Sequence, residues 1–343
     1  MQNKKHLLVI RMSAMGDVAM TVPVLKTLLS QNKNLKITVV SKGFLKPLFD
    51  NIEHVSFFAA DTKGKHKGTL GIYKLYKELK KLNIDAVADL HNVLRSKLLR
   101  ILFKIDGTPV AFINKGRAEK KALTAIKNKV FKVLKTTHQR YADVFNSLGF
   151  SVDLINPSLK EKEVLSNKLM NLFDYIPNEK LIGIAPFAAH DGKKYPLELI
   201  EEVVIELSKN HKILLFGGGQ SEVDTLTTIT QKHKNTFCLA GQVKLKDELA
   251  IISNLSVMIS MDSGNGHFSA LYGIPTISIW GATHPSAGFA PFNQIDNCIC
   301  ANRKQYPLLP TSVYGNKIVP NYENVMKTIT PKTIINKVLS IIN

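Results

Sequence analysis

Three stretches of this 343-residue chain carry side chains suited to acid–base and anion-binding chemistry, and each follows an apolar run typical of a β-strand. The stretch at 11–17, RMSAMGD, ends on Asp17, a carboxylate that can accept a proton in a reaction. The stretch at 183–196 contains Lys193, a mobile positive charge suited to a phosphate. The stretch at 262–267, DSGNGH, is a glycine-containing turn into a helix, where free N–H groups favour anions.

Each of these stretches also has a plainer interpretation. Asp17 can cap the first turn of the following helix by accepting its free N–H groups, which does not prevent it from being a general base. Lys193 and Lys194 can be a surface pair, and the turn at 262–267 can be a glycine-rich connection. Asp262 and His267 in that same turn favour an anion site suited to a pyrophosphate.

The elements that position these residues alternate between strand and helix, which predicts parallel sheets covered by helices. The predicted strands are 7–11, 36–40, 54–58, 85–90, 181–185, 212–216, 236–240, 257–261 and 276–280. A helix is predicted at 18–30, with Pro23 kinking it or marking a late start.

A polar, irregular stretch at 150–180 separates two such series. We therefore predict an α/β protein with two Rossmann-like, doubly wound domains that face each other across a cleft. The expected N-terminal domain is 1–165 and the expected C-terminal domain is 178–343, and the last helix, 331–342, is expected to pack back on the N-terminal domain. Ligands of doubly wound sheets bind beyond the carboxyl ends of the strands, so we expect the site in that cleft.

Several common motifs are missing from the sequence. The run GGGQSE at 217–222 follows a strand but lacks the third glycine of a dinucleotide-binding fingerprint, and no P-loop is present. No D-x-D pair for a divalent cation and no G-x-S-x-G nucleophile elbow occurs. The three cysteines give neither a disulfide framework nor zinc-ligand spacing. These absences disfavour a nicotinamide dehydrogenase, a P-loop enzyme and a serine hydrolase.

The charge is strongly basic, with a formal net charge of +19. Residues 63–135 hold 19 Lys and Arg against 5 Asp and Glu, so this segment carries most of the excess. Such a field attracts nucleic acid, an anionic membrane face or an anionic substrate, although a solvated lysine-rich surface would look the same. No run of about 20 apolar residues suggests a membrane span, and no signal peptide is recognisable.

Taken together and in this order, the motifs resemble glycosyltransferase family 9, the heptosyltransferases of lipopolysaccharide core assembly. The matching segments are RMSAMGDVAMTVPVL from residue 11, DLHNVLRSKLL at 89–99, KKYP at 193–196 and DSGNGHFSALYGIPTISIWGATHP at 262–285. The resemblance covers nearly the whole chain. It implies the GT-B fold and inverting transfer of heptose from ADP-heptose, without a metal or other cofactor.

The resemblance also implies roles for individual residues. Asp17 is expected to be the catalytic base, and Lys193 is expected to stabilise the ADP leaving group. The residues expected at the donor are Gly217, Glu222, Asp262, Ser263, Gly264, Asn265 and His267. The residues expected at the acceptor are Ser13, Gly16, Arg95, Lys115 and Arg117. No metal ligand is expected.

The partners implied are a nucleotide sugar and an anionic lipopolysaccharide or lipooligosaccharide core glycolipid. The expected location is therefore cytoplasmic, peripheral on the inner face of the cytoplasmic membrane. Departures from the family pattern are Asn265 and Gly266 in place of proline and methionine, Tyr195 in place of tryptophan, and His284 in place of an acidic residue. The alternatives are a GT-B enzyme with a different nucleotide sugar, an epimerase-like relative and, more remotely, a basic nucleic-acid-binding protein.

Overall fold

The computed structural model describes residues 4–317 and 319–343. The chain divides into two compact units, each formed by two separate segments. The first unit comprises Met1–Lys115 and Thr137–Lys160, and the second comprises Gly116–Thr136 and Glu161–Asn343.

Strands and helices alternate along both units, as the sequence predicts. The strands are β1 Lys5–Ile10, β2 Leu35–Ser41, β3 Val55–Ala59, β4 Ala86–Asp89, β5 Val110–Phe112, β6 Leu181–Ala185, β7 Lys212–Leu215, β8 Thr236–Cys238, β9 Val257–Met261, β10 Thr276–Trp280 and β11 Cys298–Cys300. The α-helices are α1 Met15–Ala19, α2 Thr21–Gln31, α3 Gly68–Lys80, α4 Leu94–Ile105, α5 Arg117–Leu123, α6 Thr137–Asn146, α7 Asn167–Met170, α8 Leu197–Leu207, α9 Gln220–Lys232, α10 Leu245–Ile252, α11 Gly264–Ala270 and α12 Pro331–Ile342. No helix of the described residues is both long and apolar enough to cross a bilayer.

The first unit contains a parallel sheet in the order β3-β2-β1-β4-β5. From Leu7 to Ile10 the central strand β1 is apolar and buried on both faces, as is typical of a covered parallel sheet. Its last residue, Ile10, pairs with Val40 on one side and Asp89 on the other. The strand order reverses between β1 and β4, which fixes the place where the loops after these strands diverge.

The second unit contains a parallel sheet in the order β11-β10-β9-β6-β7-β8. It is the same doubly wound arrangement with one more strand, and its order reverses between β6 and β9. Its core includes buried branched residues of β6, β7, β9 and β10. Trp280, the chain's one tryptophan, is fully buried at the end of β10.

The helix predicted at 18–30 is divided in two. α1 ends at Ala19 and α2 begins at Thr21, which places Pro23 in the first turn of α2. Proline is tolerated there because the N–H groups of a first turn have no intrahelical partner. The prediction of a late start is confirmed.

The segment 116–136 groups with the second unit, although the sequence analysis assigns it to an N-terminal domain of residues 1–165. The reason is a small apolar cluster in which Leu123 and Leu134 pack with Ala287. The Lys129 ammonium also donates to the carbonyl oxygen of Pro310 at 2.8 Å. Apolar periodicity reveals that such a segment buries a face, but not which core it joins.

The final helix is expected to pack back on the N-terminal domain, and the contacts that the structure gives it lie in its own unit. α12 packs against α8 and the strands β9 and β10. Its apolar residues Ile334, Val338 and Ile342 are buried in the core of the second unit. An apolar stripe with four-residue spacing is satisfied by this sheet face, so the helix needs no other partner.

Gly71 provides a test of the packing of α3 on the first unit. A Cβ at this position would lie 2.3 Å from the backbone carbonyl carbon of His66, which cannot move aside as a flexible side chain can. We expect Gly71→Ala to lower the free energy of unfolding by about 2 kcal/mol, despite the better helix propensity of alanine. Thermal unfolding followed by circular dichroism measures the change.

Gly43→Ala is the matched control, because its Cβ would lie at an ordinary 3.6 Å from Ala59 Cβ. This variant should unfold within about 0.5 kcal/mol of the parent. Equal stability of the Gly71→Ala variant and the parent would contradict the packing described here.

Candidate functional site

Polar residues, several of them predicted site residues, follow the strands at the two places where strand order reverses. In the first unit, Arg11 and Ser13 follow β1, and His91 follows the neighbouring β4. In the second unit, Lys193 follows β6, and Asp262 follows the neighbouring β9. Crevices beyond the carboxyl ends of such strand pairs are the usual ligand sites of doubly wound sheets.

In the first unit, an ion pair holds the carboxylate of Asp17. Arg11 Nη2 lies 2.7 Å from Asp17 Oδ2. The Arg11 side chain is 6% exposed and the Asp17 side chain 28%, so the cation is buried and the carboxylate reaches solvent. Arg11 Nη1 also donates to the carbonyl oxygen of Leu90 at 2.8 Å. The guanidinium thus joins the loops after β1 and β4 and orients Asp17.

Asp17 is not the N-cap residue of its helix. α1 begins at Met15, and the N-cap position belongs to Ala14. Asp17 is the third helical residue, and its Oδ2 accepts the backbone N–H of Ala14 at 3.3 Å. Asp17 therefore does contribute to capping the helix, but as the third residue of a capping box and not as the N-cap residue.

Tyr141, on α6, contacts both residues of the Arg11–Asp17 ion pair. Its hydroxyl donates to the backbone carbonyl oxygen of Asp17 at 3.2 Å, and its ring centre lies 5.9 Å from the Arg11 guanidinium carbon. The side chain is fully buried, and this burial raises the pKa of Tyr141. The hydroxyl therefore stays protonated as a donor at neutral pH.

His91 shows how positive this part of the first unit is. Burial, followed by the charges of Arg11 and Lys115, lowers the pKa of His91 to about 3, and Arg95 contributes in the same direction. Its Nε2 lies 3.4 Å from Ser13 Oγ. Its Nδ1 is buried with no hydrogen-bond partner among the described residues. The surroundings of His91 thus favour an anion.

The five residues expected at the acceptor are only partly brought together. Ser13, Arg95 and Lys115 all act on His91 by contact or charge. Gly16 lies in α1 beside Asp17. Arg117 is exposed at the first position of α5 and belongs to the second unit.

In the second unit, Lys193 and Asp262 form an ion pair. Lys193 Nζ lies 2.8 Å from Asp262 Oδ2, with the two side chains 16% and 7% exposed. The same ammonium donates to the backbone carbonyl oxygen of Asp262 at 3.3 Å. The pair joins the loops after β6 and β9, and an anionic ligand would compete with Asp262 for the cation.

Two hydroxyl groups, one near the end of β9 and one in the turn after it, have no partner among the described residues. Ser263 is the N-cap residue of α11, yet its Oγ makes no capping hydrogen bond. The buried Oγ atoms of Ser260 and Ser263 have no hydrogen-bond partner in the described part of the chain. Such donors are rare in a folded core and are available to a ligand.

The remaining turn residues are held differently from one another. Asn265 Nδ2 donates to Glu248 Oε1 on α10 at 2.8 Å, which directs its amide to the protein. Burial raises the pKa of Glu248, against the smaller effect of this hydrogen bond. Gly264 begins α11, and His267 is buried within it.

A cavity of about 450 Å³ opens beside the carboxyl ends of β6 and β7. Its walls include Phe187, Tyr195, the glycines 218–219 and Glu222. Glu222 Oε2 accepts the backbone N–H of Gly218 at 2.7 Å, and a Cβ at Gly217 would lie 3.1 Å from this oxygen. Aromatic and apolar walls with a few polar groups, among them Lys194 and Glu222, suit a nucleoside.

The family of the chain is settled by a sequence model. The model of glycosyltransferase family 9 (heptosyltransferase) matches residues 72–318. The chain belongs to this family. It is therefore a glycosyltransferase, and the family resemblance inferred from its motifs is confirmed.

Known heptosyltransferases and a solved family 9 structure match most of this glycosyltransferase. The lipopolysaccharide core heptosyltransferase OpsX of Haemophilus influenzae is 24% identical over 302 residues, covering 86% of this chain and 84% of that protein. A family 9 glycosyltransferase of Veillonella parvula superposes with a TM-score of 0.77 at 18% identity, covering 100% and 98% of the two chains. E. coli heptosyltransferase WaaC, solved with ADP-2-deoxy-2-fluoro heptose, gives 0.65 at 17% identity, covering 98% and 99%. These superpositions confirm the GT-B fold.

Three residues of the first-unit site of this glycosyltransferase are not among those predicted from the sequence, namely Arg11, His91 and Tyr141. Arg11 carried a signal, because a cation that ends an apolar strand needs a partner and Asp17 is the nearest carboxylate in the chain. His91 lies in the quoted segment 89–99. Tyr141 gave no signal, since α6 is not among the predicted elements. Within the described residues, no group of three or more His, Cys, Asp or Glu is arranged to hold a metal ion.

The lowered pKa of His91 predicts a pH dependence of stability. The unfolded chain protonates this histidine near pH 6.5, whereas the folded chain does so only near pH 3. The stabilising effect is complete above pH 6.5 and is lost as the pH falls, by about 2 kcal/mol at pH 5. We expect His91→Asn to reduce the fall in unfolding temperature between pH 7 and pH 5.

His190→Asn is the control, because His190 is exposed and should leave the acid slope as it is in the parent. The interpretation fails if the parent and the His91→Asn variant lose stability equally over this range.

Proposed function

We propose that this glycosyltransferase moves heptose from ADP-heptose onto a lipopolysaccharide or lipooligosaccharide core glycolipid, with inversion and without a metal ion. The relatives support the substrates, since one is described as a lipopolysaccharide core heptosyltransferase and another was solved with an ADP-heptose analogue. The observation that carries the reaction type is the solvent-reaching carboxylate of Asp17, oriented by buried Arg11.

In the proposed reaction, an acceptor hydroxyl oxygen attacks the anomeric carbon of the donor. A new C–O bond forms as the bond between the anomeric carbon and the phosphate oxygen breaks. The leaving ADP takes the electron pair, and Asp17 takes the hydroxyl proton. Attack opposite the leaving group inverts the configuration at the anomeric carbon.

The proposed donor site lies in the second unit. Lys193 is the cation for the negative charge that develops on the leaving diphosphate, which it reaches by exchanging Asp262 for phosphate. The unpartnered hydroxyl of Ser263 and the turn residues Gly264 and His267 provide further contacts. Glu222 and Gly217, at the edge of the 450 Å³ cavity, contact the nucleoside.

The proposed acceptor site lies in the first unit, where Ser13, Gly16, Arg95 and Lys115 face an anionic core sugar. Arg117 of the second unit is proposed to meet the same acceptor. Because this acceptor is a glycolipid, we propose that the enzyme works in the cytoplasm, peripherally on the inner face of the cytoplasmic membrane. The excess of 14 positive charges in residues 63–135 supports that location.

Asp17→Asn tests the base directly. The amide keeps the size of the side chain but cannot accept the proton, so kcat should fall by about 10²- to 10⁴-fold. Asp17→Glu keeps a carboxylate displaced by one methylene and should retain more activity. Transfer is measured by mass spectrometry of the glycolipid product. ADP should still raise the unfolding temperature of both variants.

If the Asp17→Asn variant transfers sugar at nearly the parental rate, Asp17 is not the base. A product in which the nucleotide sugar is epimerised and no acceptor is extended would instead favour the epimerase-like alternative.

Lys193→Met tests the leaving-group cation. Without this charge we expect kcat/KM to fall by about 10²-fold, because the developing charge on the diphosphate loses its nearest ammonium. The control is Lys209→Met, since Lys209 pairs with exposed Glu206 at 2.5 Å away from the cavity and should stay within about twofold of the parent.

Loss of stability is separated from loss of catalysis by the double variant Lys193→Met/Asp262→Asn. It removes the unpaired buried carboxylate that Lys193→Met alone creates, so the unfolding temperature should recover while transfer stays low. Recovery of transfer together with stability would show that Lys193 serves the fold only.

A further inference from the structure

The helices α3 and α4 lie side by side on one face of the first sheet. Leu75 and Leu79 of α3 and Leu99 of α4 are buried in one shared apolar cluster. Tyr76 and Phe103 join the helices through an edge-to-face ring contact with centres 5.1 Å apart. With these faces buried against one core, the opposite faces of both helices point outward on the same side of the unit.

The outward face of α3 alternates apolar and positive side chains. Leu70 is 78% exposed and Tyr73 is 47% exposed, and Lys74 and Lys77 lie one turn further along the helix. Lys77 Nζ lies 5.4 Å from the ring centre of Tyr73. Single exposed apolar residues are ordinary, but the same pattern is repeated on the neighbouring helix.

The outward face of α4 presents two isoleucines, Ile101 and Ile105, and two lysines, Lys97 and Lys104. The Ile105 side chain is 77% exposed. These four residues and the four of α3 are called the α3–α4 surface below. It contains no acidic residue, and four aliphatic or aromatic side chains lie among four lysines.

The nearby carboxylates are already neutralised. Glu78 pairs with Lys65 at 2.8 Å, and Asp106 pairs with Lys80 and accepts the hydroxyl of Tyr76. The four lysines of the α3–α4 surface make no ion pair with any residue that the structure describes. Their positive charge is therefore available to a partner.

We infer that the α3–α4 surface docks on a bilayer containing anionic phospholipid. Lysine stems can lie along the apolar boundary while their ammonium groups reach lipid phosphates. The aliphatic side chains Leu70, Ile101 and Ile105 enter the boundary between headgroups and acyl chains, as in amphipathic helices that lie in a membrane surface. Nucleic acid fits less well, because a phosphate backbone offers nothing to these aliphatic groups.

The choice of a membrane also rests on the proposed function, in which the acceptor is a glycolipid. The surface is distinct from the residues assigned to the base, the donor and the acceptor. It can therefore be altered without changing the reaction itself.

The test measures binding of the full chain to vesicles of phosphatidylglycerol and phosphatidylethanolamine, with phosphatidylcholine vesicles for comparison. Replacing Lys74, Lys77, Lys97 and Lys104 by Gln should weaken binding to the anionic vesicles by roughly 10²-fold or more. Replacing Leu70, Ile101 and Ile105 by Ser should weaken it by roughly 10-fold or more. Transfer to a water-soluble acceptor without lipid chains should be unchanged in both variants.

The matched control replaces Lys234, Lys244, Lys304 and Lys332, exposed lysines of the second unit, by Gln. It changes the net charge equally and should bind vesicles within about threefold of the parent. Parental binding by both surface variants, or an equal loss in the control, would overturn the inference. So would loss of RNA or protein binding in the surface variants with vesicle binding intact. Failure of the parent to transfer any sugar would contradict the proposed function, while the vesicle measurements would still judge the surface.

Discussion

A buried cation at the end of the central strand is the constraint on which the site of the first unit depends. Arg11 follows the apolar strand β1 and is 5% exposed, so its charge must be compensated inside the protein. The carboxylate of Asp17 and the carbonyl oxygen of Leu90 do this, and Tyr141 supports Asp17 from a helix far along the chain. The loop after β1 is thereby fixed to β4 and α6. A carboxylate held by such a network is positioned before any substrate arrives.

The second unit also has an ion pair after its central strands, but there the positive side chain is the more exposed partner. Lys193 approaches from the loop after β6, and Asp262 comes from the loop after β9. Here the cation is the more exposed partner, whereas in the first unit it is the carboxylate. Each unit thus buries one member of an ion pair and leaves the other accessible. The accessible carboxylate is suited to take up a proton, and the accessible ammonium is suited to bind an anion.

The sequence predicted the elements that have strong local patterns, and missed those that depend on distant partners. Apolar runs bounded by turns located β1 and β9, and glycine with Asp262 and His267 located the turn before α11. In contrast, β5 and β11 are short strands with no buried residue, and neither is among the predicted strands. The helix α6 has low mean hydropathy and is buried through Tyr141 and His138 rather than through an aliphatic stripe. The segment 116–136 contains the helix Arg117–Leu123, and the packing of Leu123 and Leu134 on Ala287, which no local pattern reveals, assigns it to its unit.

The departures from the family pattern in the turn after β9 can be related to the packing of that turn. A side chain at Gly266 would place its Cβ 2.4 Å from Ser260 Oγ, so this chain cannot accept the methionine of the family pattern without moving β9 or rotating the serine. Asn265, where proline is common, instead donates to Glu248 and ties α11 to α10. A hydrogen bond to a neighbouring helix therefore replaces the restraint of a proline ring. The glycine at 266 leaves the Ser260 hydroxyl buried without a partner, and such a hydroxyl gains most from a ligand that supplies one. Each departure therefore has its own local contact in this chain, Ser260 for Gly266 and Glu248 for Asn265.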